Sequence, residues 1–213
     1  MRMLAALLVV ILQVPRPVPP PIPPEALSQF DFLDGAWEFT YTVKNPDGTI
    51  ATSSKGRWTG RRLADGRLIE DSWMLVDDDG KPRGPGIYTF RAFNTVARKW
   101  QFKAINLSTG LWQEGTAEKV GSEMHLIQSP PAERPDGNWL RIRYYNITPD
   151  AFSWVADVGD GKTWVPELIR IEAKRARQAG SSDPKSTVFG PGVDHSARST
   201  TAGSTRLAQR AGM

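Results

Sequence analysis

The chain has 213 residues, 23% of them charged, a formal net charge of +4 and no cysteine. The positive excess sits at the two ends: residues 1–24 carry +2 and residues 174–213 carry +5, which leaves the middle at −3. Without cysteine there are no disulfides and no thiolate–metal sites. An acidic middle also lacks the patterned basic face that a nucleic-acid-binding domain needs, so no nucleic-acid partner is expected.

Residues 4–12 read Leu-Ala-Ala-Leu-Leu-Val-Val-Ile-Leu, an uncharged apolar run behind Arg2. This is the layout of a secretory signal, and it is too short to span a bilayer as a helix. Residues 1–14 are therefore expected to direct export to a periplasmic or extracellular space. No clean Ala-x-Ala site follows, so an uncleaved membrane anchor stays open as the one membrane contact. Residues 15–26 form a proline-rich linker, with seven prolines between positions 15 and 24. Proline fixes φ and supplies no N–H, so the stretch is an extended spacer of roughly 30 Å. The sharper alternative is a ligand for a proline-recognition module. At the other end, residues 176–213 are rich in Gly, Ser, Thr, Ala and Arg. They cannot bury enough apolar surface to offset ordering entropy, and a disordered tail is expected.

Between these ends, residues 27–175 read as one β domain. The segment 25–33 suits a short helix that plugs one end. Ten strands follow, near 36–44, 50–60, 67–77, 87–94, 98–106, 111–120, 122–128, 138–147, 151–158 and 162–174. They are separated by turn signals such as Asn45-Pro46-Asp47-Gly48, Asp77-Asp78-Asp79-Gly80, Gly121 and Asp160-Gly161. Ten sequential antiparallel strands are best accommodated by closing the sheet, which removes exposed edges. The expected fold is an all-β, up-and-down barrel of about ten strands with a short N-terminal helix; a sandwich is the alternative.

Strand alternation assigns faces. Trp37, Phe39, Tyr41 and Val43 share one face. So do Trp100, Phe102 and Ala104; Met124, Leu126 and Gln128; Leu140, Ile142 and Tyr144; and Phe152, Trp154, Ala156 and Val158. These sets should point inward. Strands 67–77, 87–94 and 111–120 are apolar on both faces and stay ambiguous.

Several short motifs narrow the fold. Leu33-Asp34-Gly35-Ala36-Trp37 opens the first strand, and Gly66-Arg67-Leu68-Ile69-Glu70, Tyr88-Thr89-Phe90, Arg98-Lys99-Trp100 and Asp160-Gly161-Lys162-Thr163-Trp164 follow. The opening resembles the calycin superfamily of lipocalins and fatty-acid-binding proteins. Together the motifs resemble the uncharacterised lipocalin-like family known as domain of unknown function 1579, over about residues 27–175. That family has no established activity, so the resemblance implies a fold and no mechanism. It also implies a cation from the last strand over Trp37; Arg170, Lys174 and Arg175 are the candidates.

The expected function is to hold a small apolar or aromatic molecule in the barrel. The candidate ligand-binding residues are Tyr41, Trp73, Arg91, Trp100, Phe102, Gln113, Tyr144 and Trp154. The contrary reading is a barrel that fills itself with its own rings. Asp71 and Arg91, if inward, either orient a ligand or satisfy each other. An enzyme would need a carboxylate pair such as Asp71 and Glu167 across the barrel. A third reading makes the barrel a scaffold and loop 129–138 the contact surface for a protein partner.

No catalytic residues, metal or cofactor are expected. His125 is the one histidine in the folded part, and parity points it outward, which argues against an axial haem ligand or a zinc site. Asp77-Asp78-Asp79-Gly80 has Lys81 where a calcium loop needs a third ligand, so it reads as an acidic hairpin turn.

Overall fold

The alternating segments form ten strands, and each pairs antiparallel with its successor in sequence. The computed structural model describes residues 18–45 and 47–177; the apolar run at 4–12, the start of the proline segment and the chain beyond 177 lie outside the described residues. The strands are β1 (Gly35–Lys44), β2 (Ile50–Leu63), β3 (Leu68–Val76), β4 (Ile87–Asn94), β5 (Lys99–Asn106), β6 (Leu111–Val120), β7 (Glu123–Gln128), β8 (Trp139–Tyr145), β9 (Ala151–Gly159) and β10 (Trp164–Arg175). β10 returns to pair with β1, and the barrel closes. Closure leaves no edge strand open to another chain.

The first and last strands are in register from Trp37 opposite Arg175 to Val43 opposite Ile169. β10 breaks its pairing with β9 between Val165 and Ile169. The cause is Pro166, which donates no ladder hydrogen bond, followed by Glu167 at φ 47°.

One end of the barrel is closed by the segment before β1. It forms a four-residue helix, α1 (Pro24–Leu27), and a 3-10 turn at Asp31–Leu33. Phe30 and Leu33 enter the barrel and are fully buried. The Phe30 ring meets Trp100 edge-on at 5.2 Å. Trp37 Nε1 donates to the Leu33 carbonyl at 3.2 Å, and Trp100 Nε1 donates to Gln29 Oε1 at 3.0 Å. Gly60 makes room for this plug: a Cβ there would lie 2.0 Å from the Leu33 carbonyl oxygen. A β-carbon at that distance is sterically forbidden, so the close approach requires glycine.

The acidic run after β3 is a hairpin turn. Asp77 Oδ1 accepts from the Lys81 backbone N–H at 2.7 Å, and Asp78 and Asp79 lie near Lys55 and Lys81. Among the described residues, no helix is long and apolar enough to cross a membrane.

Candidate functional site

Beyond the plug the barrel is not filled. A cavity of about 200 Å³ occupies its axis, and every strand contributes to the lining. Tyr41 comes from β1, Trp58 from β2, Trp73 from β3, Arg91 from β4, Phe102 from β5 and Gln113 from β6. Gln128, Tyr144, Trp154 and Ile171 complete the ring from β7 to β10. Strand parity explains this, because residues two apart in each strand return to the same inner face.

Exposure falls along the axis. Trp58, Arg91 and Tyr144 lie against the plugged end and are buried; Tyr41, Gln113, Gln128 and Leu140 are half-buried at the other. The mouth is therefore the end opposite the plug.

The floor of the cavity is a buried polar cluster. Arg91 and Asp71 form an ion pair in which both side chains are almost fully removed from solvent. In register Asp71 faces Thr89 and Ile69 faces Arg91, so the pair is a diagonal contact across β3 and β4. Trp58 Nε1 donates to Asp71 Oδ1 at 3.0 Å. Arg91 Nη2 donates to the Tyr144 hydroxyl at 3.3 Å. The Arg91 guanidinium also lies 5.2 Å from the centre of the Phe30 ring, where the plug caps it. Arg91 Nε is buried and has no hydrogen-bond partner. Burial pushes the Tyr144 hydroxyl above the ordinary tyrosine range, and the neighbouring Arg91 opposes that shift. Burial likewise raises Tyr41.

Seven of the eight expected residues surround this cavity: Tyr41, Trp73, Arg91, Phe102, Gln113, Tyr144 and Trp154. Trp100 does not. It faces inward as alternation requires, but it lies in the layer filled by Phe30, with Phe93 5.8 Å away on its other side. Parity tells which face a residue is on and not how far along the axis the plug reaches. Trp58 and Gln128 are additional lining residues. For Trp58 the signal is in β2 itself, where Gly56, Trp58 and Gly60 alternate with Lys55, Arg57 and Arg61.

The carboxylate pair needed by the enzymatic reading is not assembled. Asp71 is inside and bound by Arg91 and Trp58. Glu167 is on the outer surface, paired with Arg143 at 2.9 Å. His125 is also on the outside, 2.7 Å from Glu123. Residues 132–136 of the loop proposed for a protein partner are exposed and mostly polar. Beside that loop, an open depression of about 690 Å³ crosses the outer face of β4 to β8 and is lined by Phe90, Trp112, Ile127 and Trp139.

The fold is a closed ten-strand antiparallel barrel with an axial cavity. No protein-family model and no curated protein matches the chain. Among solved structures, the fold is similar to that of Rv2717c from M. tuberculosis, at 17% identity and a TM-score of 0.52, over 74% of this chain and 100% of that one. It is also similar to the S-type phycobiliprotein lyase CPES from Guillardia theta, at 12% identity and a TM-score of 0.51, over 72% of this chain and 93% of that one. At these identities the likeness concerns the fold.

Proposed function

We propose that the protein is an exported binding protein that holds a small apolar or aromatic molecule in its barrel, and that it belongs to the family known as domain of unknown function 1579. The observation that carries the binding role is the 200 Å³ cavity walled by Tyr41, Trp58, Trp73, Tyr144 and Trp154. A barrel that needed only stability would close this space, since each unfilled volume forfeits packing contacts. The cavity is smaller than the 300–1,000 Å³ typical of drug-sized ligands and larger than the roughly 150 Å³ cavity that suffices for benzene. A ligand of one or two fused rings fits that size. The presence of a phycobiliprotein lyase on a similar barrel is consistent with a binding role.

Export rests on the apolar run at residues 4–12 behind Arg2 and on the proline spacer after it. Family membership rests on the Gly35-Ala36-Trp37 opening and the later motifs through Trp164.

Native mass spectrometry with extraction, on protein purified from its own host, tests the binding role. A co-purifying aromatic or apolar compound is the expected result. Protein that is empty, and that takes up no small aromatic compound added at millimolar concentration, would overturn it. N-terminal sequencing of the same material tests export, and a first residue before position 15 without membrane association would count against it.

A further inference from the structure

The cavity contains a charge, and that charge is already balanced. Arg91 is the one charged residue lining the cavity among the described residues. Its partner Asp71 is equally buried, so the two formal charges cancel inside the barrel. The remaining valences are mostly taken. Asp71 accepts from Trp58 through Oδ1 and faces Arg91 through Oδ2; Arg91 gives Nη1 to Asp71 and Nη2 to Tyr144.

A carboxylate entering this space would add a third charge next to Asp71, with no free cation to meet it. An ammonium would do the same beside Arg91. Either would be an uncompensated charge in a low-dielectric interior, the costliest arrangement a binding site can adopt.

The cavity nonetheless has polar capacity. The carboxamides of Gln113 and Gln128 line the cavity toward its mouth. The N–H groups of these carboxamides can donate to an acceptor atom of a ligand.

Accepting that the barrel binds a ligand at all, we infer that the cavity selects an uncharged aromatic molecule bearing a hydrogen-bond-accepting oxygen, such as a carbonyl or ether, and rejects carboxylates and amines of the same shape. Asp71 is the residue that sets this preference. It touches Arg91 and Trp58 rather than the ligand, and acts by holding the Arg91 charge neutralised. Replacing Asp71 by the isosteric amide keeps an acceptor for Trp58 Nε1 and releases the Arg91 charge into the cavity. The same barrel should then favour an anion.

Three matched probes test this: acetophenone, benzoate and protonated benzylamine. Binding to the full chain is measured by titration calorimetry and by the indole N–H resonances of Trp58 and Trp154. The expected result is that acetophenone binds the native protein at least about tenfold more tightly than either charged probe. In Asp71→Asn the order of acetophenone and benzoate should reverse. Benzoate or benzylamine binding the native protein as well as acetophenone would overturn the inference. So would a folded Asp71→Asn protein that keeps the native order. If no probe binds and the protein purified from its host is empty, the binding role itself fails, and the inference with it. The native-protein comparison decides the matter even if Asp71→Asn does not fold.

Discussion

The Arg175 guanidinium lies 4.2 Å above the centre of the Trp37 ring, and it occupies the place where Gly35 has no side chain. A Cβ on Gly35 would come within 2.5 Å of Arg175 Nη1, and Gly35 has φ of +105°. Arg175 also donates to the Pro149 carbonyl at 2.8 Å and to the Asp34 carbonyl at 3.0 Å. The glycine, the tryptophan and the last-strand arginine are thus one lock that ties β10 and the plug to β1. Arg175→Ala should lower stability by about 1–3 kcal/mol, combining a cation–π contact with two charge-assisted hydrogen bonds. Arg175→Lys should recover less than half of the loss, because an ammonium cannot hold both carbonyls and lie flat on the indole. Urea unfolding followed by tryptophan fluorescence measures both variants.

Asp71 and Arg91 give a second stability test. Removing one member strands a charge in the core, so Asp71→Asn and Arg91→Met should each cost about 3–5 kcal/mol. The double variant Asp71→Asn/Arg91→Met leaves no buried charge and retains an acceptor for Trp58. It should be more stable than either single variant. A double-mutant cycle in denaturant measures the coupling; additive losses would show that the two charges do not compensate each other.

The strands were legible in the sequence because their turns are marked by residues with a specific backbone role, such as Asn45 to Gly48 and Asp77 to Gly80. The face of each strand was legible where charges alternate with rings, as in Arg141 and Arg143 against Ile142 and Tyr144. The choice among Arg170, Lys174 and Arg175 stayed open, yet Ile169, Ile171, Ala173 and Arg175 share one face of β10, and Trp37 lies opposite Arg175 in register. Depth along the barrel axis was not legible. Trp100 and Phe102 share a face, but only the plug decides that the first is packed beneath Phe30 and the second lines the cavity. The Asp71–Arg91 contact depends on the β3–β4 register, which a sequence without its partner strand does not specify.

The buried tyrosines predict alkaline lability. The folded protein holds the Tyr144 proton more tightly than the unfolded chain does, because burial disfavours the phenolate. Stability from this group is therefore complete below the ordinary tyrosine value of about 10 and is lost as pH rises through the raised folded value. Tyr41 adds in the same direction. The urea midpoint should fall between about pH 9 and about pH 11, and Tyr144→Phe should shrink that fall. Absorbance titration of tyrosinate should show these two groups ionising late, with the last step coinciding with unfolding.

Trp100 and Trp73 separate the plug from the cavity wall. Trp100 is fully buried, packs on Phe30 and donates to Gln29. Trp100→Ala should cost about 3–5 kcal/mol of stability, and, while the protein stays folded, leave the dissociation constant for acetophenone within about twofold of native. Trp73 is only half-buried and stacks on Tyr41, with ring centroids 6.0 Å apart at the cavity wall. Trp73→Ala should cost less stability and weaken acetophenone by about tenfold, because the variant loses a ring face worth about 0.5–1.5 kcal/mol plus the buried area behind it. Thermal unfolding and calorimetric titration of the two variants give four numbers, and the roles assigned to the two tryptophans require the stability and affinity losses to fall on opposite variants.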